Sequence, residues 1–161
     1  MKNILFLLLL FSAQQALAQT DYSKIPLNTH AECKAAEPAV LAAANYSLSL
    51  PVNAAESSEP EKFVYRWIEH TDFTFPLNSQ IWKLAKKKNR GLYMLYWSCM
   101  AKYHIEHPEN NDGRDVNIGA FTLLADYISD SSHHVTMTKD IQKLLDAKKN
   151  GKMGDYVDGK L

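Results

Sequence analysis

The chain has 161 residues, equal numbers of basic and acidic side chains (18 each), and 11% aromatic residues. That charge balance gives no electrostatic case for nucleic acid or an anionic membrane as the main partner, and the aromatic content excludes a disordered chain. Six glycines and scarce runs of Val, Ile and Thr favour helix over strand.

The chain opens on a basic start, Met1-Lys2-Asn3, an apolar run from Ile4 to Phe11, and the small-x-small triplet Ala16-Leu17-Ala18. This pattern predicts a signal peptide over residues 1–18, cleaved before Gln19. Its apolar core is eight residues long, whereas a spanning helix needs about 20. No cysteine stands at or just after the cut, so no lipid anchor is expected. The product is expected to be soluble, periplasmic or secreted, and long enough at 143 residues to bury a real core in one domain.

Residues 19–31 read as a polar, extended lead-in, and residues 32–161 as a single helical domain. The first helix is expected from about Cys33 to Leu48, either beginning at Pro38 or kinked there, because proline lacks the amide donor and crowds the preceding turn. Ser58-Glu59-Pro60-Glu61 has the form of a capping box and opens a helix with Phe63, Val64, Trp67 and Ile68 on one face. Thr71 to Leu77 is a loop whose Phe73, Phe75 and Leu77 are expected to pack down. Asn78 is expected to cap a helix with the stripe Ile81, Trp82 and Ala85, Lys86-Lys87-Lys88 in its last turn and Gly91 as its stop.

Leu92 to Glu106 is apolar nearly all round and is expected to be the central helix. A polar turn over 108–113 precedes a helix from about Asp115 to Ser129, with Phe121, Leu124, Ala125 and Ile128 inward. Thr138 is expected to cap a last main helix bearing Ile141, Leu144 and Leu145, stopped at Asn150-Gly151, with one short turn beyond. At an offset of 60, Trp67-Ile68 aligns with Tyr127-Ile128, Asn78 with Thr138, Ile81-x-Lys83-Leu84 with Ile141-x-Lys143-Leu144, and Gly91 with Gly151. This allows two all-α readings, five to seven helices in a simple bundle around the central helix or two stacked three-helix layers.

Cys33 and Cys99 are the two cysteines. In an oxidising compartment an even pair reads as one disulfide, against the alternative of two buried thiols. His104 and His107 stand at i, i+3 and are the weak candidates for a metal site, which would need further convergent ligands. His30, His70 and the pair His133-His134 add nothing to that case. Registering Gly113 as the turn glycine of a calcium loop puts Pro108 and Gly119 where carboxylates are required, so that match fails. Lys83, Lys86, Lys87, Lys88 and Arg90 could meet an anionic polymer but read as a solvated helix face without an aromatic platform. No phosphate-binding glycine loop or nucleophile elbow occurs.

The segments Cys33–Tyr46, Gly91-Leu92-Tyr93-Met94 and Cys99-Met100-Ala101-Lys102-Tyr103 together resemble an uncharacterised group of small exported bacterial helical proteins. The resemblance implies a bacterial origin and a helical fold, with no activity to carry over. The expectation is therefore a non-catalytic binding or interaction module with a protein or small-molecule partner in the cell envelope and no cofactor. The alternative is a periplasmic metal-binding protein or enzyme using His104 and His107.

Overall fold

Thr29 and Glu32 form a reciprocal cap: the Glu32 amide donates to Thr29 Oγ1 at 3.2 Å, and the Thr29 amide donates to Glu32 Oε2 at 3.1 Å. This starts the first of seven α-helices in a computed structural model that describes residues 20–161, with no strand among them. The expected signal peptide and its cleavage site lie outside the described residues. The helices are α1 (His30–Leu48), α2 (Ser58–His70), α3 (Ile81–Leu84), α4 (Leu92–Glu106), α5 (Gly113–Ser129), α6 (Lys139–Lys149) and α7 (Met153–Val157). The all-α class is as expected, and among the described residues no helix is long and apolar enough to cross a membrane.

α4 is the central element and packs on α1, α2, α3 and α5. Eight of its residues are buried, from Leu92 through Ala101, and each large apolar side chain so placed contributes about 1.5–3 kcal/mol. α1 runs antiparallel to it: the Gly91 amide at the start of α4 donates to Asn53 Oδ1 just beyond the end of α1 at 2.8 Å. α5 approaches so closely that a Cβ on Gly119 would stand 2.2 Å from the Tyr103 ring. The glycine, unfavourable inside a helix, is what permits that contact. Asn117 joins the layers, accepting from the Tyr96 hydroxyl and donating to the carbonyls of Pro76 and Gly113 at 2.9 Å each.

α6 begins as expected, Thr138 Oγ1 accepting from the Ile141 amide. It ends in a Schellman motif, with Gly151 at φ 66°, its amide on the Lys148 carbonyl and the Lys152 amide on that of Ala147.

Several expectations are corrected. α1 begins three residues earlier than Cys33 and runs through Pro38 without interruption; the proline lies on the exposed face, where water can serve the carbonyl it leaves without a donor. The lead-in is packed rather than extended: Tyr22 stacks on Phe63 at 4.9 Å, Leu27 is buried, and Arg66 holds the Tyr22 carbonyl at 2.7 Å. Ser58 is a helical residue rather than a cap. A 3-10 turn over Ala55–Ser57 leads into α2 and supplies the Ala55 carbonyl to the Ser58 amide.

The Lys86-Lys87-Lys88 helix does not form. α3 is a single turn, and Trp82, expected in the apolar stripe, is 51% exposed. Gly91 stops no helix; with φ −60° it is the N-cap of α4. The correspondence at an offset of 60 therefore holds for the buried pairs Trp67/Tyr127, Ile81/Ile141 and Leu84/Leu144 and ends at Ala85. Nor are α2 and α5 laid face to face as stacked layers. α2 meets α4 through Tyr65 on Trp97 and Trp67 beside His104, whereas α5 meets it at Tyr96 and Tyr103, about 100° round the helix.

The expected disulfide is not present: Cys33 and Cys99 are both free and buried. Antiparallel packing explains it, because Cys33 stands in the first turn of α1, beside the end of α4. Cys99 lies in the middle of α4, at a different height along the packed pair. Cys33 Sγ lies 3.7 Å from the Leu27 carbonyl instead, and burial raises the pKa of both thiols.

Candidate functional site

The spacing His30, Lys34, Glu37 places three polar side chains on one face of α1. The packed loop after α2 brings Asp72 and Phe73 opposite them, and the last turn of α4 contributes His104. Together they line a cavity of about 340 Å³. Its rim holds two pairs of opposite sign: His30 Nδ1 meets Asp72 Oδ1, and Lys34 Nζ meets Glu37 Oε2 at 2.9 Å. Its wall is aromatic. Phe73 stacks on the His104 ring at 4.3 Å between centroids, Phe75 meets it edge-on at 5.3 Å, and Trp67 lies 6.4 Å away.

His104 is the unusual group. Its Nδ1 is buried and has no hydrogen-bond partner, an arrangement that costs about 1–3 kcal/mol. Burial lowers the pKa of the imidazole, with Glu37 opposing that shift and Lys34 adding to it, which favours the uncharged ring. The Trp67 indole ties α2 to α1 by donating to the Cys33 carbonyl at 2.9 Å, and the loop that supplies Phe73 and Phe75 is held beyond it by Asn117, which donates to the Pro76 carbonyl.

The structure separates the two histidines that the sequence pairs. His107 is the C-cap of α4, with its ring against Tyr103 at 4.4 Å and its Nδ1 3.5 Å from Glu109, while His104 belongs to the cavity. Among the described residues no group of three His, Cys, Asp or Glu side chains is placed to hold a metal ion. His133 stacks on Tyr127 at 3.9 Å and bonds its carbonyl. His70 Nδ1 lies 2.7 Å from the carbonyl of Arg66 in its own helix. The 110–115 segment is a turn and cap as expected, Asp112 accepting from the amides of Arg114 and Asp115.

The lysine cluster lies at the other end of α4. Lys83 lies on the single turn of α3 and Lys86, Lys87 and Lys88 on the turn after it; all four line a second cavity of about 370 Å³ together with Asn89, Thr136, Thr138 and Asp140. The sequence reading set His30 aside and missed Asp72, because their pairing joins α1 to a loop 42 residues away. The signal within its reach was the His30, Lys34, Glu37 stripe. Comparison of the chain with protein-family models, curated proteins and solved structures finds no match.

Proposed function

We propose that the chain is an exported, non-catalytic binding module that holds a small zwitterion, of the amino-acid or short-peptide class, in the His104 cavity. The observation that carries this reading is the set of opposite charges round one concave surface, His30 with Asp72 and Lys34 with Glu37, beside the rings of Phe73 and His104. The rim adds the class of ligand. Lys34 offers a cation to a carboxylate, Glu37 and Asp72 offer carboxylates to an ammonium, and Phe73 offers a ring to an apolar side chain. These charges pair with one another rather than with His104, which leaves the imidazole without the oriented acid that general-base catalysis uses. Export is supported by the charged start, apolar run and Ala16-Leu17-Ala18 site.

Titration of the purified protein with phenylalanine and with the dipeptide glycyl-phenylalanine, followed by NMR of the histidine rings, tests the ligand. A saturable shift of the His104 signals is expected, absent for the N-acetylated, C-amidated analogues and lost in Lys34→Ala. No saturable shift, or equal binding of the neutral analogues, overturns it. Export is tested separately by intact mass after expression of the full chain: a product beginning at Gln19 in the periplasm is expected, and an unprocessed cytosolic chain refutes it.

A further inference from the structure

The second cavity is built, not accidental. Asn89 is 1% exposed, and its amide clasps one residue on both sides, donating to the Thr136 carbonyl at 2.8 Å and accepting from the Thr136 amide at 2.9 Å. Asn53 grips the other flank of the same turn, donating to the Lys88 carbonyl at 2.6 Å and accepting from the Gly91 amide. Between these clamps Lys87 is held at φ 52°, a left-handed conformation that a lysine does not choose and that the surroundings must enforce. The result is a fixed turn whose Lys86, Lys87 and Lys88 line one concavity together with Lys83 from α3. Facing them is a single carboxylate, Asp140, with one oxygen 3.9 Å from Lys86 Nζ.

We infer that this cavity binds a phosphoryl-type polyanion, with Lys83, Lys86, Lys87 and Lys88 as its ligands. Three uncompensated positive charges within one concave surface concentrate a field that the chain's zero net charge conceals. Ammonium groups on flexible stems suit a multiply charged tetrahedral group, which they meet as point charges from several directions. Trp82, next to Lys83 in sequence, is exposed and stacked on Tyr93 at 4.8 Å, and Met137 is 54% exposed between two cavity-lining threonines, so both set apolar surface beside the lysines. The anion can therefore be free or part of a lipid headgroup.

Calorimetric titration with inorganic pyrophosphate tests the site. One saturable site is expected, weakening as salt rises. Lys83→Ala/Lys86→Ala/Lys88→Ala is expected to lower affinity by about tenfold or more with an unchanged melting temperature. Lys24→Ala/Lys62→Ala/Lys102→Ala, with the same loss of charge elsewhere, is expected to leave affinity unchanged; equal weakening in the two triples overturns the site. Sedimentation with phosphatidylcholine vesicles, with and without phosphatidylglycerol, separates the sources. Retention on anionic vesicles that pyrophosphate releases assigns a headgroup, and pyrophosphate binding without retention assigns a free anion. Neither pyrophosphate binding nor retention refutes the proposal.

Discussion

The two ends of α4, about 22 Å apart for a 15-residue helix, carry cavities of similar size and opposite construction. At the C-terminal end the wall is made of rings, the rim charges are paired, and one buried nitrogen is left unsatisfied. At the N-terminal end four lysines on flexible stems outnumber one carboxylate, Asp140, and order comes from the backbone, which two asparagines clamp. The first is arranged to select by shape and matched charge, the second to attract by field. A neutral chain holds both because folding sorted its charges instead of cancelling them.

The two ends also respond to pH in opposite directions. Glu61, in the first turn of α2 and so at the N-terminal end of α4, has its pKa raised by burial from 4.5 to about 7, with a hydrogen bond from Ser57 opposing the rise. Between those values the folded state binds more protons than the unfolded one, so this group makes stability fall as pH rises from about 4.5 to about 7. His104 has its pKa lowered from 6.5 by burial. The unfolded state then binds more protons, and stability falls as pH drops below about 6.5.

The largest expected effect tests whether packed rings support the C-terminal cavity. Trp67 is fully buried, between Phe75 and His104, and Trp67→Ala should cost about 3–5 kcal/mol in chemical denaturation; a loss below 1 kcal/mol would break that half of the comparison. Asn89→Ala removes both clamps on Thr136 and should cost about 1–3 kcal/mol, read as a lower denaturation midpoint, while His104 ring shifts stay unchanged.

Glu61→Gln should stabilise by about 1–2 kcal/mol at pH 8, a figure discounted for the partial solvent exposure of the carboxylate. The gain should vanish towards pH 4.5, and a pH-independent effect would remove the opposite-sign pattern. Smallest is Lys87→Gly, which relieves the left-handed strain and should raise stability by about 1 kcal/mol. A loss instead would show that the turn is not strained.

Much of the helical plan was legible before folding was considered. The α4 run is apolar on every side, so only a central position could bury it. Thr138 with Ile141 and Leu144 begins α6, and Asn150-Gly151 ends it, because caps and periodicity act within one or two turns. The Thr29 and Glu32 box was equally local and was overlooked in favour of Cys33. The lysine turn was not legible: Lys83 to Arg90 has good helical propensity and a plausible glycine stop, yet Asn89 finds Thr136 and Asn53 finds Lys88 and Gly91. Those bonds outweigh the few tenths of a kcal/mol per residue that propensity supplies.

The candidate site divides in the same way. His104 can be singled out from its place on α4, and its i, i+3 spacing points to His107, whereas the fold surrounds it with Phe73, Phe75 and Trp67. Cys33 and Cys99 were paired by parity, and antiparallel packing of α1 on α4 sets them at different heights. By itself the sequence determined the all-α class, the order and approximate limits of the main helices, and the centrality of α4, because these follow from periodicity and capping over a few neighbouring residues. The tertiary structure decided which side chains share a cavity, where the lysines converge and why the thiols stay apart, because those depend on contacts between segments 40 or more residues apart.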